Sequence, residues 1–202
     1  GDISIFSFYP NKHITTGEGG MVLMDDERLY EKCKSLRNLC FSSDGNKRFI
    51  HEELGWNLRM TNIQAALGVA QLERIDEFVT KKRWIGNMYQ ELLSDIKSIN
   101  LPIKQKDFAE NIYWVFPVTL KDDYPKTAKE VMKELGAKGI GTRPFFYPMH
   151  TQPVFNKMGL FVDEEYLNAT KLYERGFYIP SGLAITEEQI REVSKIMHEV
   201  II

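Results

Sequence analysis

The chain has 202 residues, with 28 acidic and 26 basic side chains, a net charge of −2 and a hydrophobic share of 43%. That length suits one large domain or two small ones, and the hydrophobic share supports a real core, which excludes a disordered chain. The near-neutral balance offers no general attraction to nucleic acid or to an anionic membrane, and the apolar runs are far too short to span a bilayer.

In chain order, residues 3–8 alternate β-branched and aromatic side chains and predict a strand. The opening GDISIFSF enters on that strand with no lead-in, cap or initiating methionine, and reads as the start of a fragment, without a signal peptide. A lysine and a glycine-rich turn follow, and GMVLM, residues 20–24, predicts a second buried strand. Asp25-Asp26 supplies an N-cap for a helix running to about Leu39, with Leu29, Cys33, Leu36 and Leu39 as its apolar stripe. Residues 41–54 are polar and irregular, and predict a loop.

Thr61 and Gln64 form a capping box ahead of a helix whose apolar row is Ile63, Ala66, Leu67, Ala70, Leu72 and Ile75. Its small residues Ala65, Ala66, Gly68 and Ala70 allow a close helix contact. A second helix, from about Glu77 to Ser94, would connect to another domain. Beyond residue 99 the chain predicts a strand in NIYWVFPVTL, a helix in PKTAKEVMKELGAKGI that ends near Gly136 and Gly139, and a strand in GIGTRPFFYP running into a Pro-rich turn. Residues 163–175 are helical, a Pro/Gly turn follows, and Thr186 with Gln189 caps the last helix. The order predicts a small α/β lobe.

Cys33 and Cys40 have no histidine nearby, so they read as ordinary thiols of a reduced, cytosolic protein, with no metal site. Trp56, Trp84 and Trp114 read as packing residues.

Lys12 carries the functional question. A lysine in a turn is ordinarily solvated. This one directly follows a strand, at a sheet end of the kind where α/β sites gather. TTGEGG after it offers backbone N–H groups, hydroxyls and glycines that permit close approach. Ser7, five residues earlier, brings a hydroxyl. An amine in a confined pocket condenses with a carbonyl, and a carbonyl cofactor that also carries a phosphate is pyridoxal phosphate. On the residues alone, the solvated turn and the carbonyl-binding lysine both stay open.

SFYPNKHITTGEGGMVLMDD, together with GWNLRMTNIQAALGVAQL, resembles the nucleotide-sugar aminotransferases of the DegT/StrS type, fold-type I pyridoxal-phosphate enzymes. YWVFPV, TRPFFYPMHTQPVF and IPSGLAITEEQI extend the likeness over nearly the whole chain. The resemblance implies an α/β fold: residues 1–78 as the C-terminal part of a large, mostly parallel-sheet domain that binds the cofactor, and 79–202 as a connector helix and small C-terminal domain. It implies that Lys12 is the Schiff-base lysine and acid/base, that Ser7 binds the cofactor phosphate, and that Asn57 reaches a partner's phosphate across a homodimer interface. For Ser7 a local backbone contact is the alternative, and for Asn57 a turn role. Arg59 is either a phosphate or carboxylate contact or a structural ion-pair residue. Arg143, Tyr147 and His150 fall at the sugar-nucleotide site, with 143, 145 and 147 expected on one side of a strand. For His150 a structural role in its turn is the alternative. Glu18 reads as a structural carboxylate.

RPFFYPMH is most similar to members that aminate GDP-4-keto-6-deoxymannose at C4 with glutamate. The resemblance also implies that the family's N-terminal half lies outside this sequence, so that the fragment is inactive by itself. Two other readings stay open: a sugar dehydratase of the same fold, against which Lys12 argues because those relatives carry a histidine there, and a non-catalytic dimerisation or sensing module.

Overall fold

A computed structural model describes residues 1–42, 44–47 and 49–202. Ser43 and Arg48, inside the expected 41–54 loop, lie outside the described residues. The chain divides into two compact units, Gly1–Glu77 and Phe78–Ile202.

In the first unit, β1 (Ser4–Ser7) and β2 (Gly20–Leu23) pair antiparallel, Ser4 opposite Leu23 and Ser7 opposite Gly20. The expected burial of these strands is not found: every residue of both is exposed, Ile5 at 80%. α1 (Glu27–Arg37) starts where Asp26 accepts the Arg28 and Leu29 N–H groups. It stops at Arg37, short of Leu39, because Leu39 and Cys40 take left-handed backbone angles (φ 62° and 50°) that end a helix. Residues 56–58 then run back along its end: Leu39 N–H donates to the Trp56 carbonyl at 3.0 Å, and Leu58 N–H to that of Arg37 at 3.0 Å. Trp56 itself is half exposed, so the expected packing role fails for its ring. α2 (Asn62–Leu72) carries the capping box formed by Thr61 and Gln64, and α3 (Ile75–Leu92) follows after a short turn.

The second unit holds the hydrophobic core. Among the described residues, every buried apolar side chain except Cys40 belongs to it. A four-stranded antiparallel sheet has the order β3 (Ile99–Asn100), β6 (Phe116–Leu120), β8 (Gly176–Ile179), β7 (Arg143–Pro144). β4 (Gln105–Lys106) and β5 (Ala109–Glu110) form a separate small hairpin that the sequence pattern did not announce. Phe116, Val118 and Leu120 are buried at every second position of β6, the period of a strand with one covered face. They join Val131 and Leu135 of α4 (Ala128–Ala137), Phe177 and Ile179 of β8, and Ile190, Val193 and Met197 of α7 (Glu187–Ile201) in one cluster. α5 (Pro153–Lys157) and α6 (Leu167–Arg175) lie between β7 and β8 in sequence. Arg175 closes the lobe by donating to the Tyr124 and Lys126 carbonyls at 2.8 and 3.0 Å. No helix among the described residues is long and apolar enough to cross a membrane.

α3 is fastened to the turn after β8 by two side chains spaced i, i+7. Lys82 Nζ donates to the Ser181 carbonyl at 2.6 Å and the Tyr89 hydroxyl to that of Pro180 at 2.7 Å. Burial makes the lysine charge costly and lowers its pKa to about 8 from the ordinary 10.5. Between those values the unfolded chain binds more protons than the folded one at this residue, so folding stability gains from Lys82 as pH rises through that window. Urea unfolding from pH 8 to 10 is expected to show this rise in the native protein and to lose it in Lys82→Met; parallel pH profiles would contradict it. A second constraint is steric. A Cβ on Gly86 of α3 would lie 2.3 Å from the ring of Tyr113, which stacks on Phe116 at 5.8 Å between centroids. Gly86→Ala is expected to displace that ring and cost about 1–3 kcal/mol, seen as a lower denaturation midpoint.

Candidate functional site

The segment between β1 and β2 is a closed loop. Phe8 forms its base: the N–H donates to the Gly19 carbonyl at 2.9 Å, and the carbonyl accepts the Thr16 N–H at 3.0 Å and the Thr15 hydroxyl at 2.9 Å. Lys12 lies inside this closure, half-buried, its own N–H donating to the Tyr9 carbonyl at 3.0 Å. Ser7 ends β1, and its hydroxyl accepts the Tyr9 N–H at 3.3 Å. That is the local backbone contact, and it still leaves the hydroxyl proton to donate elsewhere. Ser7 and Lys12 thus both lie at the connecting end of the β1–β2 hairpin.

α2 holds this loop by a polar face. The Gln71 side chain accepts the Thr15 N–H at 3.0 Å and donates to the Thr15 carbonyl at 2.7 Å. Gln64 donates to the Glu18 carbonyl at 3.1 Å, which also accepts the Thr16 hydroxyl at 2.7 Å. Between the two glutamines, Gly68 lets Thr16 approach: a Cβ there would lie 3.0 Å from the threonine methyl. Thr16 is buried, with 4% of its surface exposed. These contacts were not expected. The signal was present as Gln64, Gly68 and Gln71 at i, i+4 and i+7, one stripe of a helix. The apolar row stays uncovered, with Ile63 85% exposed and Leu67 50%. Glu18 contributes its backbone carbonyl to this contact.

Asn57 and Arg59 form a second group, at the end of α1. Asn57 pairs with Asn38 in an isolated antiparallel bridge, and Arg59 Nη1 donates to Asn38 Oδ1 at 2.6 Å. The observed partner of Arg59 is thus an amide, and both residues are exposed.

Arg143, Tyr147 and His150 belong to the second unit. Arg143 is exposed on β7, opposite Tyr178 of β8. The expected strand alternation from 143 to 147 is not found, because β7 ends at Pro144. Phe145 instead stacks on Tyr178 at 4.7 Å between centroids. Tyr147 and His150 are gathered along α6: the Tyr147 ring meets Tyr173 edge-on at 5.0 Å, and His150 lies 5.0 Å from the Tyr166 ring with the Thr170 hydroxyl 3.5 Å from its Nε2. Tyr166 donates to Glu164, and that bond pushes its phenol pKa up. Tyr166, Thr170 and Tyr173 had no role in the sequence reading.

The model of the DegT/DnrJ/EryC1/StrS aminotransferase family matches residues 1–198. The chain belongs to that family. It is 35% identical over 202 residues to GDP-perosamine synthase of Escherichia coli O157:H7, covering 98% of this chain and 52% of that protein. Among solved structures, Helicobacter pylori PseC, an aminotransferase involved in the biosynthesis of pseudoaminic acid, is similar with a TM-score of 0.89 at 22% identity, over 99% of this chain and 53% of that one. E. coli GDP-4-keto-6-deoxy-D-mannose-3-dehydratase with bound hydrated PLP reaches 0.84 at 20% identity, over 98% and 54%. The chain thus spans about half the length of the family relatives it matches. Its fold is the C-terminal part of a fold-type I pyridoxal-phosphate-dependent transferase.

The clamp on the Lys12 loop is testable by crowding it. Gly68→Leu is expected to push Thr16 off α2, to speed amide exchange at Thr15 and Thr16, and to cost about 1–3 kcal/mol. Unchanged exchange at both amides would show that the loop holds itself.

Proposed function

We propose that the full-length protein is a pyridoxal-phosphate-dependent aminotransferase that moves the amino group of glutamate to C4 of a nucleotide-linked 4-keto-6-deoxy sugar. The substrate we favour is GDP-4-keto-6-deoxymannose, which gives GDP-perosamine for polysaccharide synthesis. The observation that carries this reading is Lys12, in the closed loop that follows Ser7 at the end of one hairpin, in a chain whose family match runs over residues 1–198. The residues fit the cofactor chemically: an amine for its aldehyde and a hydroxyl proton for its phosphate. The 35% identity to the E. coli GDP-perosamine synthase supports the choice of sugar.

In this reading residues 1–78 complete the large cofactor-binding domain, and residues 79–202 form the connector and small domain. When bound, pyridoxal phosphate supplies an aldehyde carbon that takes up the amine and a ring that delocalises the electron pair left on carbon. Lys12 Nζ holds the cofactor between turnovers. As a free amine, Lys12 would take the proton from the glutamate α-carbon and deliver one to C4 of the sugar. The Ser7 hydroxyl donates to the phosphate. Asn57, exposed at the end of α1, serves the phosphate of the partner protomer in a homodimer. Arg59 contributes a planar cation for phosphate or the glutamate carboxylate. Arg143 faces the sugar-linked diphosphate, whose geometry suits a guanidinium, and Tyr147 and His150 flank the sugar. The chain described here, about half the relatives' length, is proposed to be inactive alone and, with its free thiols, to belong to a cytoplasmic enzyme. The similarity to a dehydratase extends to fold alone, and a lysine at position 12 favours amine transfer over hydroxyl elimination.

Borohydride treatment of the full-length protein with pyridoxal phosphate is expected to fix the cofactor on Lys12, and Lys12→Ala is expected to lose both that adduct and transamination. An adduct that survives in Lys12→Ala would sink the assignment. With glutamate, GDP-4-keto-6-deoxymannose should be converted to the 4-amino sugar. Conversion of a dTDP- or UDP-linked keto sugar in its place would overturn the substrate and leave the reaction class standing.

A further inference from the structure

The hydrogen bonds between α2 and the Lys12 loop do more than cover backbone groups. Thr15 stands at the base of the loop that contains Lys12, next to the Thr16 N–H that closes it on the Phe8 carbonyl. Both peptide groups of Thr15 that face α2 end on one side chain, Gln71, at 3.0 and 2.7 Å. The Gln71 amide also donates to the Leu67 carbonyl at 2.8 Å, so its orientation is set by its own helix before it meets the loop. An amide is the side chain that suits this task, since it accepts and donates at once; a carboxylate only accepts, and an aliphatic chain of the same size does neither. Two turns earlier, Gln64 anchors the far end of the loop at Glu18 while its oxygen stays in the capping box with Thr61. The loop is thus located relative to α2 at two points, with Thr16 seated between them over Gly68.

We propose that Gln71 is a positioning residue for Lys12: it fixes the loop base on α2 and thereby the point from which the lysine amine reaches the cofactor aldehyde. This rests on the reading of Lys12 as the cofactor lysine. Covalent addition at an aldehyde tolerates little displacement of the amine, and a shift of about 1 Å is enough to cost orders of magnitude. Acylation by a small reagent makes no such demand, because it needs an accessible amine alone. The two reactions therefore separate placement from mere presence.

The experiment compares native protein, Gln71→Leu and Gln71→Glu at full length. Two yields are measured at Lys12 by peptide mapping: the borohydride-fixed pyridoxal-phosphate adduct, and acetylation by acetic anhydride. Amide exchange at Thr15 and Thr16 is followed alongside that of β6, which reports on the fold of the second unit. Gln71→Leu is expected to lower the adduct by about tenfold or more at subsaturating cofactor. Its Lys12 acetylation should stay within about twofold of native, with faster exchange at Thr15 and native exchange in β6. Gln71→Glu, which still accepts from the Thr15 N–H, should recover part of the adduct. If Gln71→Leu forms the adduct as readily as the native protein, the positioning role is overturned while Lys12 keeps its assignment. It is likewise overturned if adduct and acetylation fall together. Native protein that is acetylated at Lys12 yet forms no adduct there overturns the reading of Lys12 itself, and this inference with it.

Discussion

The seating of the Lys12 loop on α2 turns on one short contact: the reciprocal pair of hydrogen bonds between the Gln71 side chain and the Thr15 peptide. Among the described residues the first unit buries a single apolar side chain, Cys40, so apolar packing alone does not hold it together. What ties the β1–β2 hairpin to α2 is polar: Gln71 on Thr15, Gln64 on Glu18, and Thr16 lowered onto Gly68. Part-buried hydrogen bonds of this kind contribute about 1 kcal/mol each, a modest energy but a directional one. The loop closes on the Phe8 carbonyl, the closure is pinned to a helix, and Lys12 is displayed from inside it.

The two units solve different physical problems. The second has an ordinary core, with alternate residues of β6 and β8 packed against the apolar faces of α3, α4 and α7. It is a framework that carries Arg143 on a strand, and Tyr147 and His150 against α6. The first unit leaves its apolar surface in solvent, from Ile5 and Phe6 on β1 to Ile63 and Leu67 on α2. Apolar side chains left exposed on both elements suit a surface that other protein covers. In a chain spanning about half the length of its relatives, that is the surface on which the rest of the family fold is proposed to sit, along with a second protomer.

Much of this was legible from residues because the signals were local. Asp26, Thr61 with Gln64 and Thr186 with Gln189 announced three helix starts, each confirmed by a side chain accepting a backbone N–H. The lysine between a strand and a glycine turn was visible as a candidate from its position. What escaped was set by contacts distant in sequence or by breaks in a regular pattern. Ile63, Ala66 and Leu67 stand at helical spacing, yet the face that meets the loop is the one with Gln64, Gly68 and Gln71, because the loop presents peptide groups and the small Thr16 side chain. Residues 143–147 alternate like a strand, but the ladder with β8 covers Arg143 and Pro144; the Phe145 N–H makes a last bond to the Gly176 carbonyl, and its ring stacks on Tyr178. Trp56 looked like a packing residue by type; its backbone does the packing, through the Leu39 N–H. The grouping of Tyr147 and His150 along α6 joins segments twenty or more residues apart at Thr170, a pairing that no local pattern encodes.

The account stands on Lys12 being held toward the cofactor by a loop that α2 fixes. The most direct measurement is an experimental structure of the full-length protein after reduction with borohydride in the presence of pyridoxal phosphate. The account predicts continuous density from Lys12 Nζ to the cofactor, the Ser7 hydroxyl at its phosphate, and Gln71 still paired with both peptide groups of Thr15. Cofactor joined to another lysine, or a Lys12 loop lifted from α2 with the cofactor in place, would contradict it.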